Sequence, residues 1–310
     1  MLPLGPYTAQ SPAESELEAT ANANAAGDVA SALLELSKPG VAGLVVVTSL
    51  CGALSAPGEL RVGRLLLTLA GTAGVVAAAN ALNMILERDT DKLMRRTASR
   101  PLPTGRLSVE VALAFAVSTA LLGSALLYFF VGALPTLLTL VALGSYVVAY
   151  TPLKRVTPLA LLVGAVPGAI PPLIGWASVT GSLAPLAWLL FAILFVWQLP
   201  HFLAIAIFRR DEYARAGLRV LPVVHGVFRT KLEIAIYSLL LVATSLLPVA
   251  LGLAGLGYGV IAIAAGLAFL VLATAGFSAK DDARWARRVF FASMPYLVIV
   301  LSSLAAFAAR

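Results

Sequence analysis

The chain has 310 residues, of which 60% are hydrophobic and 12% charged, with a formal net charge of +7, a pI near 9.8 and a mean hydropathy of +0.94. Soluble domains carry about 25% charged residues, so the composition excludes a soluble fold, a disordered chain, a collagen and a disulfide scaffold. The single cysteine, Cys51, has no partner for a bridge or a thiolate metal cluster.

Residues 1–30 are rich in Ala, Ser, Asn and Glu and contain no Lys or Arg. A signal peptide needs a basic stretch followed by an apolar one. The segment is therefore expected to be a disordered polar tail, with 31–310 forming a single polytopic membrane domain. From Val41, apolar runs long enough to cross a bilayer alternate with short polar breaks. Spans are expected near 41–56, 64–86, 109–130, 133–150, 157–179, 184–207, 232–252, 257–277 and 289–309, the first extending back to Leu33. The breaks hold turn residues such as Pro57–Gly58 and Thr180–Gly181–Ser182. Gly164 and Gly168, and Gly255 and Gly259, stand at the four-residue spacing that lets helices approach. Pro167, Pro171 and Pro172 break the fifth span unless neighbours satisfy the freed carbonyls.

Of the 22 Lys and Arg residues, all but Arg61, Arg64 and Arg310 fall before span 1 or in loops after even-numbered spans. The positive-inside rule then places the N-terminus and those loops in the cytoplasm, and nine spans place the C-terminus outside. The basic excess reads as cytoplasmic loops, with no nucleic-acid partner.

Polar groups at a span are costly, so they carry the functional information. The first cluster runs from Asn80 to Arg96, where span 2 ends. On a helix, Asn83, Glu87 and Asp91 share one face. Two carboxylates four residues apart repel unless a cation sits between them. Hard oxygen donors of this kind suit Mg2+, which is held by one or two carboxylates plus substrate phosphates. A solvated charged helix end is the alternative. Asp91 is expected at the membrane edge, outside the packing. The next loop offers Arg96, Arg100 and Arg106 with Pro101 and Pro103. Arginine grips phosphate bidentately, and proline stiffens the loop. Taken alone, this loop would be an ordinary positive-inside loop.

The second cluster is Trp197, Gln198, Pro200, His201 and Phe202, followed by Arg209, Arg210, Asp211, Glu212 and Tyr213. It ends span 6, on the same side as the end of span 2. Asp91 and Asp211 are 120 residues apart, which suggests a weak four-helix repeat. Facing across a cavity, the two could share metal ions bridging a diphosphate. A lone histidine such as His201 is more often structural than a ligand. Lys38, Lys154 and Arg155 add cations to the same side.

The run Asn83-xxx-Glu87-xxx-Asp91 resembles the first acidic motif of the UbiA-type intramembrane prenyltransferases, whose usual form is Asn-xxx-Asp-xxx-Asp. Residues 87–103 resemble the haem-farnesylating branch of that family. So do Leu36-Ser-Lys38-Pro39, Tyr150-Thr-Pro-Leu-Lys154-Arg155, Trp197-Gln-Leu-Pro-His201-Phe202 and the run from Asp211 to Val224. The likeness covers roughly 31–310. Glu87 replaces the usual aspartate, Gly40 stands where a cation is common, and Arg215 stands where a second aspartate would follow Asp211.

The resemblance implies an all-α membrane protein of about nine transmembrane helices around a central cavity. It implies transfer of farnesyl from farnesyl diphosphate to the 2-vinyl group of haem b, with water addition, giving haem O for terminal oxidases. Asn83, Glu87, Asp91 and Asp211 would hold Mg2+ and act in catalysis. Lys38, Arg88, Asp89, Arg95, Arg96, Arg100, Lys154, Arg155, Arg209, Arg210, Glu212 and Tyr213 would bind substrate, and Trp197, Gln198 and His201 would meet the haem. The expected location is the inner (plasma) membrane, with a haem A synthase or oxidase-assembly factor as a protein partner. A family member with an aromatic quinone-precursor acceptor is the nearest alternative, and the Trp197–Phe202 stretch argues against it. A membrane transporter or haem carrier is the alternative of another class. Transporters place charges near the midplane, whereas no Asp or Glu lies between residues 111 and 210.

Overall fold

A computed structural model describes residues 27–308. Helix α1 (Gly27–Ser37) and helix α2 (Pro39–Ser55) meet at a 48° bend. Lys38 forms the bend with φ 49°, a left-handed conformation that a non-glycine residue rarely takes. The residue before a proline is pushed out of the right-handed helical region, and Pro39 opens α2. The first span does extend back past Leu33, and it bends at Lys38. Residues 27–30, expected in the polar tail, already belong to α1, and the rest of that tail lies outside the described residues.

The chain continues as α3 (Val62–Asp91), the short α4 (Pro101–Thr104), α5 (Val109–Phe130) and α6 (Ala133–Gly144). A π-helical turn, Ser145–Tyr150, joins α6 to α7 (Thr151–Leu153). Helices α8 (Ala160–Ala169) and α9 (Pro171–Thr180) share one span broken at Ile170. Then come α10 (Pro185–Phe208), the short α11 (Arg210–Arg215) and α12 (Leu221–Val224), α13 (Gly226–Ala250), α14 (Leu256–Thr274) and α15 (Asp282–Phe307). Among the described residues, eight helical segments are long and apolar enough to cross a membrane, and the bent α1–α2 pair makes a ninth. The protein is a multi-pass helical membrane protein. Helices α13 and α15 begin six or seven residues before their expected spans, because Arg229, Lys231, Arg284 and Arg287 continue the helix beyond the apolar stretch.

Small residues set the closest helix contacts. A methyl at Gly175 would overlap the backbone oxygen of Ser49, and one at Gly52 would overlap Pro172, so α2 and α9 touch backbone to backbone. Gly71 and Gly123 do the same for α3 and α5, where a Cβ at Gly123 would lie 2.7 Å from Gly71 O. The spaced pair Gly164 and Gly168 works differently. Each admits a side chain, the Tyr150 ring and the Gln198 amide respectively. Gly255 donates its backbone N–H to Phe307 O at 3.1 Å, whereas Gly259 faces the Val249 side chain.

The larger core lies among α9, α10, α13, α14 and α15 around Trp176, Trp197, Tyr258, Trp285 and Tyr296. A smaller cluster of Leu36, Ala81, Met84, Leu102 and Leu107 fixes α1, α3 and the 101–107 segment against one another. It lies directly behind the acidic face of α3.

Candidate active site

Helix α3 runs without interruption through Asp91, so Asn83, Glu87 and Asp91 do share one face. None of the three is solvated. Asn83 is 2% exposed, Glu87 5% and Asp91 0%. Asp91 therefore belongs to the packed interior, contrary to its expected place at an unpacked membrane edge.

Each of the three takes a cation from a different segment. Lys38, at the α1–α2 bend, donates from Nζ to Asn83 Oδ1 at 3.0 Å. Arg100, just before α4, donates from Nη1 to Asp91 Oδ2 at 2.7 Å. Lys154, just after α7, pairs with Glu87 Oε1. The unusual backbone of Lys38, the Pro101 that opens α4 and the π turn before α7 are what aim these three side chains inward. Breaking a buried pair of this kind by removing one partner costs about 3–5 kcal/mol.

Polar support surrounds the cluster. Asn83 Nδ2 donates to Thr151 Oγ1 at 3.2 Å, and Asn80 Nδ2 donates to Ser37 O at 3.0 Å. Thr97 Oγ1 donates to Asp91 O at 2.9 Å, which closes the loop after α3. Arg155 donates to Thr90 Oγ1 at 2.6 Å and to Leu86 O at 3.3 Å, tying α3 to the end of α7.

Among the described residues, Asp91 Oδ1 is buried and accepts no hydrogen bond. A buried orphan carboxylate oxygen needs an explanation, and a bound cation is the standard one. Among the described residues, no three His, Cys, Asp or Glu side chains converge as a metal cage. Two carboxylates and an amide, completed by substrate phosphates, match the way Mg2+ is held. The donor set fits the ion.

Asp211 is not brought to this cluster; it is exposed on the first turn of α11. Glu212 pairs with Arg209 at 2.9 Å. Tyr213, on the same short helix, is half-buried. Burial raises its phenol above the ordinary range, Arg96 and Arg209 lower it, and Glu212 and Glu87 raise it further. It is therefore a neutral hydrogen-bonding group across physiological pH. Asp89 is exposed and pairs with Arg88 at 3.5 Å and Lys92 at 3.3 Å. Arg95, Arg96 and Arg210 are exposed on the same end of the bundle.

Trp197, Gln198 and His201 are all buried in α10. Gln198 Nε2 donates to Ala165 O at 3.1 Å and Leu194 O at 3.0 Å. One bond ties α10 to α8 and the other stays within α10. Trp197 Nε1 donates to Ser293 O at 2.6 Å, and its ring stacks on His201 with centroids 4.7 Å apart. Ser293 Oγ donates to Phe290 O at 2.6 Å, so it accepts from His201 Nδ1 at 2.7 Å. That tautomer leaves Nε2 with its lone pair.

The sequence reading gave no role to Tyr146, Tyr150 or Thr151. The two tyrosine rings lie 5.4 Å apart on the π turn, and Lys154 Nζ stands 5.6 Å from the Tyr150 centroid. Their signal was local: two tyrosines four apart in an otherwise apolar span, at a π turn of the kind that recurs at functional sites.

A bundle of membrane-crossing helices thus gathers buried carboxylates and converging cations at one end. The sequence matches the UbiA prenyltransferase family over residues 44–294. It is 54% identical over 241 residues to the protoheme IX farnesyltransferase of Sorangium cellulosum (strain So ce56), covering 78% of this chain and 86% of that one. It is 45% identical over 285 residues to the protein of that name from Myxococcus xanthus (strain DK1622), covering 92% and 97%. The fold is similar to a UbiA homolog from Archaeoglobus fulgidus bound to GPP and Mg2+, with a TM-score of 0.66 and 17% identity over 88% of this chain and 99% of that one. The chain belongs to the UbiA prenyltransferase family.

Proposed function

We propose that this protein transfers a farnesyl group from farnesyl diphosphate to the 2-vinyl group of haem b, giving haem O. The convergence of Lys38, Arg100 and Lys154 on Asn83, Glu87 and Asp91 carries the reading. Three cations face two carboxylates there. The surplus positive charge matches the roughly single negative charge that a fully ionised diphosphate ester keeps with one Mg2+. The names of the relatives supply the acceptor.

Asn83, Glu87 and Asp91 would hold the Mg2+, which would neutralise charge on the diphosphate oxygens as the allylic C–O bond breaks. Lys154 and Arg100 are the groups placed to turn from carboxylate to phosphate and to stabilise the leaving group. Lys38 would add positive charge beside Asn83, and Arg155 at the exposed edge of the site. The bond electrons depart with the diphosphate, leaving an allylic cation on the farnesyl chain. The terminal vinyl carbon attacks that cation, and positive charge moves to the carbon next to the porphyrin. Water adds there and loses a proton, which gives the hydroxyethylfarnesyl side chain. Tyr146 and Tyr150 present aromatic faces beside Lys154, where they would favour a nearby cation and exclude water until coupling has occurred. His201 Nε2 is the ring atom available to the haem iron, with Trp197 and Ser293 fixing the ring.

Basic residues concentrate at this end of the bundle, which supports a cytoplasmic site, a cytoplasmic N-terminus and an outer C-terminus in the inner membrane. Both lipid-soluble substrates would arrive from the bilayer. The product would pass within it to a haem A synthase or an oxidase. A haem profile of cells lacking the protein tests the acceptor. Loss of haem O with haem b retained is expected. An unchanged haem profile with a missing quinone would overturn the choice of haem.

A further inference from the structure

The end of the bundle opposite the acidic site carries a second polar feature. Helix α3 starts there at Val62, one membrane thickness from Asp91. Among the described residues, the charged side chains at that end are Glu59, Arg61 and Arg64. All three line one cavity of about 280 Å³, together with Leu60, Leu65 and Ser178.

Arg64 is held at this cavity. Its Nη2 donates to Val131 O at the end of α5, and its Nε is buried without an acceptor. Arg61 is opposed only by Glu59, at 3.6 Å. Two guanidinium groups against one carboxylate leave the cavity cationic. Guanidinium forks match phosphate oxygens bidentately. The amides that open α3 add positive potential. Leu60 and Leu65 supply apolar wall beside these groups.

We propose that this cavity seats the phosphate of a membrane phospholipid headgroup, on the side of the bilayer away from the chemistry. A phosphate ester is the ligand class that the two arginines recognise. The lipid is favoured over free phosphate because the arginines stand at the very start of a membrane-crossing helix, Arg61 just before α3 and Arg64 in its first turn, at headgroup depth, and because leucines share the lining. The volume suits a glycerophosphate group with its acyl chains outside. The seated headgroup would clamp the connection between α2 and α3 onto the end of α9, where Gly58 already packs on Val179.

Native mass spectrometry of the full chain in detergent tests this, with phosphatidylglycerol, a diacylglycerol of the same acyl chains and inorganic phosphate as separate probes. Phosphatidylglycerol should be retained by the natural protein and bound about tenfold more weakly by Arg61→Gln, whose side chain is exposed and supports no helix. Arg64→Lys keeps the charge and loses the fork, and should weaken binding similarly. Turnover should not change in Arg61→Gln. Equal retention of phosphatidylglycerol by all three proteins would overturn the proposal, as would retention of the diacylglycerol equal to that of the phospholipid. Preferential capture of inorganic phosphate would overturn the lipid assignment.

Discussion

Asp91→Asn is expected to lower turnover at least about a hundredfold, about 2.7 kcal/mol in barrier, in a protein that still folds. Asp91 is fully buried, with Oδ2 on Arg100 at 2.7 Å and Oδ1 unpartnered. Asparagine keeps the shape and an acceptor for Arg100. It loses the charge that a divalent ion requires. Asp91→Ala would also leave a half-buried guanidinium without its counterion, a loss of about 3–5 kcal/mol, and would confuse catalysis with stability. Steady-state rates beside a thermal melt separate the two effects. An asparagine variant that keeps more than about a tenth of the activity, a change under ~1.4 kcal/mol, would remove Asp91 from the metal site.

Lys154→Gln is expected to produce two shifts of opposite sense. Its kcat/KM for farnesyl diphosphate should fall about a hundredfold, because a cation aimed at the leaving group is gone. Its affinity for Mn2+ alone, read by electron paramagnetic resonance without substrate, should rise. The reason is competition: Glu87 Oε1 accepts Lys154 in the structure and cannot at the same time be free to ligate a metal. A Lys154 that served only to bind phosphate would leave the metal-only affinity unchanged, and that result would contradict the shared role.

Much of this arrangement was legible in the sequence. Apolar runs of membrane length and the one-sided placement of Lys and Arg gave the nine spans. The four-residue spacing of Asn83, Glu87 and Asp91 gave their common face, because an unbroken helix fixes that relation. Which cation meets which acid was not legible. Lys38 and Lys154 lie 45 and 67 residues from Asn83 and Glu87, Arg100 comes from a loop folded back on α3, and only tertiary packing chooses among the 19 basic residues on that side. Asp211 and Tyr213 show the same limit. Two residues apart on a short helix, Asp211 is exposed and Tyr213 is half-buried. Gln198 looked like a ligand because polar groups in lipid attract a functional reading. Its bond to Ala165 O shows a structural use, which only the packing of α10 on α8 could reveal. The bend at Lys38 was written in Lys38-Pro39, yet its consequence, a lysine carried into the site, depended on where α1 docks.

The most direct measurement incubates the purified protein with haem b, farnesyl diphosphate and Mg2+ and follows the haem by mass spectrometry, with a parallel sample in EDTA. The account predicts a haem heavier by one farnesyl group and one hydroxyl group, formed with Mg2+ and absent with EDTA. No such product while haem stays bound, or a product that forms equally in EDTA, would contradict it.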